Sequence, residues 1–175
     1  MLLGISGSLR AGSVNRKLVR EAARLYGGPY EEADLRLPLY DGDLEQAEGI
    51  PAAVQHLADQ IAAAEAVVIS TPEYNQSLSG VLKNALDWVS RVEGNPWLHK
   101  PVAIMSATAG RAGGARGSYA LRLAMLPFRP RMVAGPDIGV AGAAKEFDEN
   151  GQLTGELYLK NLGELMDQVK AEAAR

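Results

Sequence analysis

The stretch Leu2-Leu3-Gly4-Ile5-Ser6-Gly7-Ser8-Leu9-Arg10-Ala11-Gly12-Ser13-Val14-Asn15-Arg16 decides the fold. An apolar run of strand type passes into a loop of glycine, serine and arginine, and a helical stripe of Leu18, Val19, Ala22 and Leu25 follows. A dinucleotide-binding strand order expects GxGxxG after the first strand, and Gly4-Ile5-Ser6-Gly7-Ser8-Leu9 does not supply it. Gly7 and Gly12 match the opening of a P-loop, but Ser13-Val14 stand where that motif needs lysine and a hydroxyl residue. The cation and the magnesium ligand of triphosphate hydrolysis are therefore missing. What remains suits a terminal monophosphate at a helix N-terminus. Ser8, Ser13 and Asn15 offer donors, Arg10 adds a charge-assisted fork, and the glycines permit close backbone approach. The bland use of the same residues is a βα turn with Ser13 or Asn15 as N-cap.

Outward from this unit, strand-like runs recur at Ala33–Leu37, Ala66–Thr71, Pro101–Ala107 and Asp137–Ala141. Helical stripes fill the gaps: Val54, Leu57, Ala58 and Ile61; Val81, Leu82, Ala85 and Val89; a segment from about Gly117 to Leu126; and Leu159, Leu162, Leu165, Met166 and Val169 near the end. Five strands alternating with five helices predict an α/β fold, a doubly wound parallel sheet with helices on both faces. Without the dinucleotide signature, the flavodoxin-like order 2-1-3-4-5 is expected, with its ligand crevice between strands one and three. Asp41–Gly49 and Phe147–Gly155 read as surface loops, the second with an Asn150-Gly151 turn.

Strand three feeds a second distinctive loop, Thr71-Pro72-Glu73-Tyr74-Asn75-Gln76-Ser77, whose turn chemistry presents amides and an aromatic ring to a flat heterocycle. A third, Ser106-Ala107-Thr108-Ala109-Gly110-Arg111-Ala112-Gly113-Gly114-Ala115-Arg116, follows strand four at the same end of the sheet, with Ser106 and Gly110 as its candidate contacts. A phosphate cradle and a ring clamp on successive βα loops describe a pocket for FMN.

These loops, with Gly80-Val81-Leu82-Lys83-Asn84-Ala85-Leu86-Asp87-Trp88 after them, resemble the NAD(P)H-dependent FMN reductase family, which includes chromate and quinone reductases of flavodoxin-like fold. The likeness spans nearly the whole chain, through GSLRxxSxN at 7–15, PEYNxS at 72–77 and GxLKNAxDW at 80–88. Ser79 departs from it, where the family usually has proline. The resemblance implies FMN as cofactor and NADPH or NADH as co-substrate. It implies that Pro72, Glu73, Tyr74, Asn75 and Ser77 flank the isoalloxazine ring, mostly through backbone contacts. It also implies a homodimer or homotetramer with flavin near the interface. Trp88 fits either the core or such an interface.

Composition narrows the alternatives. The 175 residues suit a single flavin-binding domain over 1–175, with 47% hydrophobic and 22% charged residues. A net charge of −3 gives no drive toward nucleic acid or an anionic membrane, so an anion site must be local. No cysteine is present, which removes thiolate chemistry and leaves redox work to a bound cofactor. The chain opens on a strand, lacks a basic-then-apolar leader and has no apolar run of membrane length, so a cytoplasmic protein is expected. His56 and His99 have no metal spacing, and Asp41, Asp43 and Glu45 lack the calcium-loop pattern, with Gln46 at the turn-glycine position. The expected activity is hydride transfer from NAD(P)H through FMN to a small acceptor: a quinone, a flavin, an azo compound or a metal oxyanion such as chromate. No protein side chain is expected to be catalytic. The rival readings are a flavodoxin-type electron carrier and a nucleotide sensor.

Overall fold

Strands β1 (Leu2–Ser6), β3 (Ala66–Ser70) and β4 (Pro101–Ala107) are buried along their whole length, as expected of parallel strands covered on both faces. The computed structural model describes residues 1–175. β1 pairs with β3 in register Leu2 to Ala66 and Ile5 to Ile69, and β3 pairs with β4 in register Val67 to Val102. Every pairing in the sheet is parallel, and the order is β2-β1-β3-β4-β5, with β6 also on β4.

Because side chains alternate along a strand, each central strand serves two cores. Leu2, Val68 and Met105 meet Leu18, Val19 and Ala22 of α1 (Val14–Tyr26) and Leu162 and Met166 of α6 (Glu156–Ala173). On the other face Leu3, Ile5, Val67, Ile69 and Ile104 meet α3 (Ala52–Ala63), α4 (Gly80–Val89) and α5 (Ala115–Met125). The helical stripes read from the sequence are these buried faces.

Three elements differ from the sequence reading. The second strand is β2 (Tyr30–Glu32), not Ala33–Leu37. As an edge strand it pairs through its backbone, and Glu32 reaches Arg16 and Arg20 of α1, so its composition is polar. Ala33 still donates its amide to the Gly4 carbonyl at 2.9 Å, and it and Leu35 bury against the second core, which explains their apolar alternation. The fifth position is divided: β5 (Arg131–Met132) pairs with Pro101–Val102, and β6 (Ile138–Val140) pairs with Met105–Ala107. Between them Val133–Asp137 loops out through Gly135-Pro136, and proline has no amide for the ladder. Finally, the 41–49 segment contains helix α2 (Gly42–Glu48). It buries no residue and so carries no apolar stripe. Asp41 caps it, and Glu45 is held by Arg91 and Tyr40. The Asn150-Gly151 turn forms as expected, with Gly151 at φ 80°.

Ser79 takes over what proline would do. Its backbone sits at φ −70°, a proline-compatible value. Its Oγ accepts from the Leu82 amide at 3.4 Å as the N-cap of α4, and donates to the Gly7 carbonyl at 2.6 Å, joining α4 to the first loop. Ser79→Ala is expected to lose about 1–2 kcal/mol of stability, since a cap and a buried acceptor are given up together. Urea unfolding measures it, and an unchanged midpoint would remove Ser79 from this role.

Candidate flavin cleft

The ends of β1, β3 and β4 open into one cleft of about 770 Å³, within the usual range for small-molecule sites. A second cavity of about 450 Å³ lies between α4, the 95–98 loop and Phe128, away from the carboxyl ends of the central strands. The larger cleft is where the doubly wound topology places a ligand.

Its first wall is the loop after β1. Ser13 is the N-cap of α1, with its Oγ accepting from the Asn15 amide at 3.2 Å. Ser8 Oγ accepts from the Arg10 amide at 3.5 Å. Both hydroxyls therefore keep their O–H for a ligand. The Gly12 and Val14 amides find no acceptor within the chain, and the first turn of α1 contains no acidic residue. Arg10 is exposed and makes no ion pair with a carboxylate. This donor set fits a phosphate monoester: backbone amides, two hydroxyls and a guanidinium at the positive end of a helix.

Asn15, read from the sequence as a phosphate donor, lines the cleft and is also tied into the fold. It is 2% exposed. Its Nδ2 donates to the Ala107 carbonyl at 2.9 Å, while its Oδ1 accepts from Ser70 Oγ at 2.8 Å and the Ala107 amide at 3.0 Å. The Ser106 side chain is placed off the cleft. It is fully buried, does not line the cleft, and donates its hydroxyl to the Thr71 carbonyl at 2.7 Å. Against its side chain lies Gly114 at φ 81°, where an added Cβ would stand 1.8 Å from Ser106 Oγ. Ser106 thus sets how closely the third loop approaches β4.

In the second loop, Pro72, Glu73 and Tyr74 line the cleft. Asn75 and Ser77 do not. Tyr74 and Ser77 exchange both backbone hydrogen bonds, at 3.0 and 3.1 Å, across Asn75 (φ 50°) and Gln76 (φ 64°). Positive φ at both central residues is the signature of a type I′ hairpin, and asparagine tolerates it. The pair therefore shape the turn that presents Tyr74, whose ring is half exposed. Gly110 lines the cleft in the third loop.

Lys17, Arg111 and Phe147 also line the cleft, and sequence reading missed them. Lys17 Nζ sits 5.9 Å from the Phe147 ring centroid. Its spacing of four from the Ser13 cap was a usable signal, whereas Phe147 arrives from a distant segment. With Arg10 and Arg116 the lining holds four cations against one carboxylate, Glu73. A chain of net charge −3 thus concentrates positive charge at this one place. Lys83, Asn84, Asp87 and Trp88 lie outside it. Asn84 and Trp88 both donate to the Pro38 carbonyl, at 2.9 and 2.8 Å, and Trp88 is a core residue.

The family model described as NADPH-dependent FMN reductase matches residues 1–145. The chain belongs to this family. An NAD(P)H-dependent FMN reductase of Pseudomonas aeruginosa is 44% identical over 155 residues, covering 87% of this chain and 83% of that protein. A quinone reductase of Escherichia coli is 48% identical over 120 residues, 66% of this chain and 64% of that one. Among solved structures, the flavoenzyme NAD(P)H:(acceptor) oxidoreductase FerB of Paracoccus denitrificans superposes with a TM-score of 0.88 at 32% identity, covering 99% and 96% of the two chains. The resemblance carried by the three motifs is thereby confirmed, and so is the flavodoxin-like architecture of the FMN reductase family.

Proposed function

We propose that this FMN reductase family member takes hydride from NADPH or NADH and passes it to a small acceptor, with quinones placed first and free flavins, azo compounds and metal oxyanions such as chromate as further members of the class. The observation that carries this reading is the partner-free donor set at the α1 N-terminus, which opens into the same cleft as the Tyr74 ring and the glycine-rich third loop. When bound, FMN supplies the reversible acceptance of a hydride at its N5 position. The chain's own residues orient and anchor. Ser8, Arg10, Ser13 and the Gly12 and Val14 amides would hold the phosphate, and Pro72, Tyr74 and Gly110 would border the ring. No side chain is assigned a proton transfer.

The competing electron-carrier reading is disfavoured by Arg10 in the phosphate loop and by the cationic lining, since carriers of this fold commonly use a hydroxyl-rich loop on a markedly acidic surface. The purified protein mixed with FMN is expected to retain a yellow chromophore after desalting. That chromophore is expected to bleach anaerobically with NADPH or NADH and to recover on addition of a quinone. A retained flavin that neither nucleotide bleaches would favour the carrier, and no retained flavin would overturn the FMN assignment.

We further read the chain as a single domain over 1–175 and as a cytoplasmic protein with no nucleic-acid or membrane partner. No helix is long and apolar enough to cross a membrane. A homodimer or homotetramer is supported by the exposed Tyr119 and Leu123 of α5 and Leu126 just beyond it, one helix apart in steps of four and three.

A further inference from the structure

We infer that Glu73 is a positioning residue that caps helix α5 from the second loop and so makes the two ring-flanking loops into one wall. The resemblance implies that Glu73 flanks the flavin ring, mostly through its backbone, and leaves the role of its side chain open. Its carboxylate turns toward α5, where Oε2 accepts from the Arg116 amide at 3.0 Å and the Gly117 amide at 3.4 Å. These are the second and third residues of the helix, the amides that an N-cap side chain ordinarily serves. α5 has no such side chain of its own, because the cap position is Gly114. Glu73 therefore does from 43 residues away what Ser13 does locally for α1.

Two further features make this a built junction. The Glu73 side chain is only 16% exposed. Gly117 packs so closely on the second loop that an added Cβ would lie 3.0 Å from the Pro72 carbonyl oxygen and 3.3 Å from that of Ser77. The carboxylate and the close approach together fix where loop 108–114 stands relative to Tyr74. The remaining contact, Oε1 to the exposed Arg116 guanidinium at 3.4 Å, adds little, as surface ion pairs do. Both amide bonds end on a single oxygen, so glutamine, which keeps one carbonyl oxygen, can replace the carboxylate.

This inference rests on the flavin reading for its consequence but not for its geometry, and two measurements separate them. In the protein without flavin, amide hydrogen exchange at Arg116 and Gly117 is expected to speed up about tenfold or more in Glu73→Ala and to stay within about threefold of wild type in Glu73→Gln, since removing a net hydrogen bond to a charged group is worth at least about a factor of ten. In FMN titrations followed by flavin fluorescence, Glu73→Ala is expected to bind about tenfold more weakly, with Glu73→Gln restoring most of the loss. Unchanged exchange in Glu73→Ala, or equal losses in both variants, would overturn the clasp. Wild-type protein that shows the exchange pattern but binds no FMN would overturn the flavin reading and leave the clasp standing.

Discussion

Asn15→Ala is expected to remove about 3–5 kcal/mol of folding free energy, the largest effect of any polar substitution near the cleft, because three buried groups lose their partner at about 1–3 kcal/mol each. They are the Ser70 hydroxyl and the amide and carbonyl of Ala107. Alanine is too small to refill the site and has no polar atoms to offer. The Asn15 side chain joins the start of α1 to the ends of β3 and β4, so its loss loosens three elements at once. Urea unfolding of the flavin-free protein is the direct measurement, and a loss below about 1 kcal/mol would show that the amide is not the staple its geometry describes.

Arg10→Ala is expected to weaken FMN binding by about 10- to 100-fold while leaving the unfolding midpoint of the flavin-free protein unchanged. A charge-assisted hydrogen bond is worth about 1.5–3 kcal/mol, and Arg10 makes no ion pair in the folded chain whose loss would destabilise it. The affinity difference should shrink as salt is raised, because the guanidinium is exposed and the phosphate is screened with it. Calorimetric titration at low and high ionic strength reads both effects. Equal affinities in the two proteins at low salt would take Arg10 out of the phosphate site. Arg10 and Asn15, both read from the sequence as donors, differ within the folded chain: Asn15 is bonded to Ser70 and Ala107, and Arg10 has no ion-pair partner.

The central architecture was legible because its signals are local. Apolar runs at Leu2–Ser6 and Pro101–Ala107 are strands at those bounds, and helical stripes such as Leu18, Val19 and Ala22 are buried faces. The donor set proposed for a phosphate was legible for the same reason, since Ser8, Arg10 and Ser13 stand within a few residues of one another. Illegible features depend on partners far along the chain. Tyr30–Glu32 gives no apolar pattern because Glu32 answers the arginines of α1, and helix α2 gives none because it buries nothing. Ser106 and Glu73 look like ligand groups in a loop motif. Their acceptor and donors are the Thr71 carbonyl and the α5 amides, which only the folded chain brings to them.

The two margins of the sheet share a property that bears on how copies of this protein meet. A sheet margin offers a row of unpaired amides and carbonyls, on which another chain can continue the ladder. Here one margin is the three-residue Tyr30-Glu31-Glu32, in which Glu32 is already paired with Arg16 and Arg20, and the other is broken by Gly135-Pro136 into pieces of two and three residues. Neither gives a template long enough to nucleate cross-chain strand pairing, while the valine- and isoleucine-rich strands that would polymerise most readily lie inside. Fibrillar growth by strand addition is thus closed off at both ends, and association between folded copies is left to the helical surfaces.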